Sequence, residues 1–164
     1  MATASFLHTV CMAWIGGCAM ALGAAHAAGC ELDRAVFRDS GGQGFVLSFY
    51  EARSPHDAQV TARARITHPQ RGTLFKFEMG RTNGYGANHL VQTPLPGQDK
   101  AERQRPHGVY FFDKQLKPLM VQPDPPAWLF IENLGAADHY DARHRTPPRP
   151  GLQDPMWVFA YCKK

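Results

Sequence analysis

The feature that most restricts what this chain can fold into is a pair of cysteines near its two ends, Cys30 and Cys162. The chain carries four cysteines, and the other two, Cys11 and Cys18, lie within residues 1–29, a stretch without Lys, Arg, Asp or Glu. There an apolar run from Val10 to Leu22 is followed by Ala25-His26-Ala27, with small residues at the two positions that signal peptidase reads. The pattern predicts a signal peptide over residues 1–27 and a secreted β domain over residues 28–164. Two cysteines then remain, and an even number in an oxidising compartment predicts a disulfide. In the chain-entropy view, closing so long a loop restricts the unfolded state by about 5 kcal/mol.

The residues before Cys30 allow a second fate. Ala27-Ala28-Gly29-Cys30 resembles a bacterial lipobox, and that resemblance implies a lipid-bearing thiol and a protein tethered to a membrane. A lipidated Cys30 would leave Cys162 unpaired, so parity favours the disulfide. Membrane attachment is expected only if Cys30 is lipidated.

Between the cysteines the pattern is that of strands. At 164 residues, 44% hydrophobic and 20% charged, the chain is one domain's worth and able to bury a core. Val60, Ala62, Ala64 and Ile66 alternate with Thr61, Arg63, Arg65 and Thr67. After Pro69-Gln70-Arg71-Gly72, Phe75, Phe77 and Met79 alternate with Lys76 and Glu78. This period of two, with one wet face, predicts an antiparallel hairpin with a four-residue loop, pairing Ile66 with Phe75 and Arg63 with Glu78.

Phe45 to Tyr50 and Trp128 to Ile131 are apolar at nearly every position, as in strands covered on both sides. Shorter strands are expected over residues 31–38 and 89–93, with a surface loop over 94–106. A second hairpin pairs Val109–Phe112 with Leu119–Val121, its second arm an edge because Pro118 lacks an amide hydrogen. The last run places Trp157, Phe159 and Tyr161 on one face and Met156, Val158, Ala160 and Cys162 on the other. With no wet side it reads as an interior strand, one face covered by the opposite sheet and the other by residues 138–155. One short helix is expected from Asp138 to Arg145, because acidic residues lead and Arg143, His144 and Arg145 follow, an order that suits the helix dipole. The sum is an all-β, single-domain antiparallel β-sandwich or small barrel of seven to eight strands with one short helix.

Catalytic chemistry finds little support. Asp39-Ser40-Gly41-Gly42 resembles the segment around the nucleophile of trypsin-like serine proteases, which would imply a nucleophilic Ser40. In that arrangement the base histidine precedes the serine, and none lies between Ala27 and Ser40, so the four residues are read as a turn. Of His56, His68, His89, His107, His139 and His144, most are expected as exposed turn residues. The closest pair, His139 and His144, is five apart rather than the four that place two ligands on one helix face. No metal site, no cofactor fingerprint and no catalytic residue is therefore expected.

Two surfaces stand out for binding. The glycine-punctuated turn from Arg81 to His89 gathers Asn83, Tyr85, Asn88 and His89, polar groups of the kind sugars or peptide edges accept. Arg63, Arg65, Arg71 and Lys76 would form a basic stripe on the outer face of the first hairpin, partly neutralised by Glu78. With a net charge of +4, the expected partner is an anionic envelope component or a protein. Nucleic acid is not expected, since no aromatic platform interleaves the basic positions. The expected function is an exported, non-catalytic binding or inhibitory module recognising an envelope polymer, glycan or protein through surface loops. The competing expectations are a hydrolase or metal-dependent enzyme with a site assembled from separated loops, and a lipid-anchored structural protein of the envelope.

Overall fold

In the computed structural model, which describes residues 30–51, 60–81, 87–95, 106–119, 125–142 and 150–164, the alternating run becomes β3 (Val60–His68). It pairs antiparallel with β4 (Gly72–Arg81), and these are the two longest strands. Ile66 faces Phe75 and Arg63 faces Glu78, as the alternation requires. The connection is one residue shorter than expected, because Gly72 pairs with His68 and takes φ +68°. A left-handed glycine closing a three-residue turn is a common solution for such hairpins.

The remaining strands are β1 (Ala35–Asp39), β2 (Val46–Tyr50), β5 (Asn88–Thr93), β6 (Pro106–Phe112), β7 (Pro118–Leu119), β8 (Trp128–Ile131) and β9 (Met156–Cys162). Neighbours pair in the order β1-β2-β3-β4-β5-β6-β8-β9, and β9 returns to β1, so eight antiparallel strands close into a barrel. β7 is an additional short strand beside β6. Closure removes the free edges of a sheet. A barrel of eight strands has an interior about wide enough for side chains. Here it holds Phe37, Phe49, Phe75, Phe77, Met79 and Trp157, all fully buried.

Each end of the barrel has its own closure. At one, a 3-10 turn (Leu32–Arg34) precedes β1, and Cys30 is bonded to Cys162 across 132 residues with a Cα–Cα distance of 5.9 Å. A sulfur in that bond cannot also carry a lipid. At the other end lies α1 (Leu134–Ala142), with Leu134 and Leu152 joining the core. The helix begins four residues before the expected start, so Asp138 falls inside it and is buried. Its first turn is held from outside: the Asp154 carboxylate accepts the Gly135 N–H at 2.6 Å. A Cβ on Gly135 would sit 2.8 Å from the Gln153 carbonyl carbon, so only glycine lets the two backbones cross. Arg143, His144 and Arg145 lie outside the described residues.

β9 has a neighbour on each edge, as expected of an interior strand, but its outer face is open. Val36 pairs with Tyr161 while Phe37 pairs with Phe159, leaving Ala160 as an extra residue. This bulge resets the alternation. Phe159 and Cys162 pack against the core, and Tyr161 turns outward, 50% exposed. Leu134, Ala137 and Leu152 pack on the core at the barrel end rather than covering that face.

Asp39-Ser40-Gly41-Gly42 is a turn built on a carboxylate. Asp39 is buried, its Oδ1 accepting the Gln43 N–H at 2.8 Å and its Oδ2 the N–H groups of Gly44 (3.0 Å) and Phe45 (2.8 Å). Asp39→Ala would leave these donors without their acceptor and is expected to lower stability by about 3 kcal/mol in urea unfolding. Ser40→Ala, at an exposed side chain, should stay within about 0.5 kcal/mol.

Candidate functional site

The barrel register aligns one cross-strand row that points away from the barrel interior: Ser48 in β2, itself buried, Arg65 in β3, Lys76 in β4 and Thr93 in β5. Arg65 and Lys76 are directly opposed, and like charges in that position destabilise a sheet. The row contains no carboxylate. The Arg65 guanidinium lies 5.8 Å from the centroid of the Tyr50 ring, within cation–π range.

A third cation reaches the same place from the end of the chain. Lys163 Nζ donates to the Phe49 carbonyl at 2.8 Å, one residue beyond Ser48, the last β2 residue paired with β1. Burial first, and the Arg65 charge second, lower the Lys163 pKa below the usual lysine value, while Asp33 acts in the opposite direction. Lys163 thus reaches β2 while Arg65 and Lys76 stand on β3 and β4, and neighbouring strands lie about 5 Å apart.

The other two residues expected in the basic stripe have different roles. Arg63, one row away, is neutralised by Glu51 and Glu78. Arg71 is not on that surface: its side chain is 5% exposed, and its guanidinium engages both carboxylate oxygens of Asp138. It also donates to the Pro150 carbonyl at 2.8 Å. The β3–β4 turn directs Arg71 toward α1, and its charge is used inside the fold.

Of the four residues expected in the recognition turn, Asn83 and Tyr85 lie outside the described residues. Asn88 and His89 do not act together, because strand alternation in β5 sends Asn88 inward and His89 outward. β5 nonetheless concentrates unsatisfied polar groups. Asn88 Oδ1, His89 Nδ1 and Gln92 Nε2 are three of the five buried side-chain polar atoms without a hydrogen-bond partner among the described residues. Such atoms are uncommon in folded proteins and mark places where water or a ligand binds.

Two histidines expected at the surface are buried instead. His68 Nδ1 accepts the Gln70 N–H at 3.2 Å, so its ring proton sits on Nε2, which donates to the Gln43 carbonyl at 3.1 Å. His107 Nδ1 lies 2.8 Å from the Glu132 carbonyl. Both occupy inward positions at strand ends, where an imidazole can satisfy a main-chain group. Among the described residues no group of three or more His, Cys, Asp or Glu side chains is placed to hold a metal ion. None of the described helices is long and apolar enough to cross a membrane. Comparison with protein-family models, curated proteins and solved structures finds no match to this chain.

Proposed function

We propose that the chain is an exported, non-catalytic binding module that holds an anionic component of the cell envelope on the outer face of β3 and β4. The observation that carries this reading is the opposed pair Arg65 and Lys76, without a carboxylate in its row and with Lys163 alongside. Glu51 and Glu78 are committed to Arg63, and Asp33 acts on Lys163 rather than on the opposed pair. A like-charge pair weakens the free fold, and breaking a local rule in this way is most often tolerated at functional sites. An oxyanion bound between the two cations relieves the repulsion and stabilises the native state. Arg65 supplies a planar fork for a sulfate, phosphate or carboxylate group, and Lys76 a mobile point charge. The leader-like residues 1–27 support export, and so does a disulfide of the kind that persists in oxidising compartments.

Titration with dextran sulfate, using neutral dextran as control, tests the reading by calorimetry. Binding should be confined to the sulfated polymer and weaken as salt is raised. Arg65→Ala with Lys76→Ala should reduce affinity by about tenfold or more. Affinity should also begin to fall at a pH below the usual lysine range, because Lys163 loses its proton early. Equal binding to both polymers would contradict the proposal.

A further inference from the structure

Farther round the barrel, the outer face of β5, β6 and β8 has a different character. Gly108 in β6 is flanked by His89 on β5 and, through a 3.0 Å bond from the Glu132 N–H to its own carbonyl, by Glu132 just past β8. On its other edge His89 faces Gly80. His89 therefore has a glycine as its cross-strand partner on each side.

Gly108 makes room for two side chains. A Cβ there would sit 2.5 Å from Glu132 Oε2 and 3.1 Å from the Tyr110 hydroxyl. Tyr110 stands two residues further along the same face, so a hydroxyl at that position means the ring lies along the strand instead of projecting from it. The phenol is tied down by donating to Glu132 Oε1 at 3.2 Å, and the ring leans on Phe130 at 6.4 Å with an interplanar angle of 34°. Tyr110 is nevertheless 46% exposed. The Glu132 charge raises the Tyr110 pKa, which keeps the hydroxyl a donor.

We infer that Tyr110 and Phe130, edged by Glu132 and His89, form a second binding surface, one that takes a neutral sugar chain. A pyranose presents a face of C–H groups that packs on a flat aromatic ring, and a rim of hydroxyls that a carboxylate and an imidazole can bond. His89 is half-buried, and its buried Nδ1 has no hydrogen-bond partner among the described residues. A carboxylate at the edge, with no Lys or Arg among the four side chains of this cluster, disfavours anionic sugars and separates this surface from the cationic row. A ring already held flat loses little conformational freedom when it binds.

The test is a titration of the full chain with maltotetraose, cellotetraose and chitotetraose, followed through the aromatic side-chain NMR signals. At least one sugar should shift Tyr110, Phe130 and His89 saturably. Tyr110→Ala, a change at an exposed side chain, should weaken that binding by about tenfold or more. Tyr110→Phe keeps the ring but frees it from Glu132, and Glu132→Gln keeps the shape but removes the charge; each should cause a smaller loss. The Arg65→Ala, Lys76→Ala variant should bind the sugar as the parent does. Absence of shifts with all three sugars would overturn the inference, as would binding that survives Tyr110→Ala unchanged.

Discussion

Serine at both Cys30 and Cys162 will lower the free energy of unfolding by about 5 kcal/mol, from the loop entropy of a 132-residue span. That is comparable to the whole stability of many domains, roughly 5–15 kcal/mol. The cross-link has structural reach because it joins the start of β1 to the end of β9, the two strands whose pairing closes the barrel. Without it, closure depends on two segments from opposite ends of the chain finding each other in a much larger unfolded ensemble. Calorimetry with and without reductant should show the melting temperature falling by on the order of 15 °C. An unchanged melting temperature would mean that strand pairing alone holds the ends together.

Asp138→Ala should be nearly as damaging, at about 3–5 kcal/mol. The carboxylate is 3% exposed, engages Arg71 and accepts the Leu152 N–H at 2.7 Å, so its removal strands a guanidinium and an amide inside the protein. Most of this loss reflects the orphaned charge rather than the worth of the pair. Arg71→Met combined with Asp138→Leu should therefore recover much of it in urea unfolding, since apolar replacements of buried ion pairs are often close to neutral. Because Arg71 does not belong to the cationic row, the double variant should keep its affinity for dextran sulfate. A parallel fall in that affinity would place Arg71 back in the binding surface.

The parts of the fold legible in the sequence are those fixed by local alternation or by covalent parity. The residues from Val60 to Met79 announce β3, β4 and their register because one face is apolar and the other wet. A single pair of cysteines outside the leader-like segment allows a single disulfide. The parts that were not legible depend on partners distant in sequence. Arg71 reads as a surface cation until Asp138, 67 residues later, is brought beside it. The start of α1 is hidden because its capping carboxylate, Asp154, comes after the helix instead of before it. The bulge at Ala160 reverses the facing of Tyr161, and nothing in an all-apolar run marks where an extra residue is inserted.

The proposed binding surfaces are half visible in the sequence for the same reason. Arg65 and Lys76 follow from the hairpin register, but Lys163 joins them through a bond to Phe49 that spans 114 residues. In the sequence His89 reads as the end of a turn, whereas in the fold it is paired with Gly80 and Gly108. Gly80 and Gly108 lie inside β4 and β6, where glycine marks a close approach to the backbone, but the alternation in the sequence stops at Met79 and resumes at Val109, one residue short of each.

The claim that a specific cationic row, rather than net charge, holds the anionic partner is tested most directly by two variants of equal charge. One carries Arg65→Ala and Lys76→Ala; the other carries Lys114→Ala and Lys117→Ala, at exposed positions in the β6–β7 turn. Affinity for dextran sulfate at fixed ionic strength should fall by about tenfold or more in the first and by less than about twofold in the second. Equal losses in the two variants would contradict it.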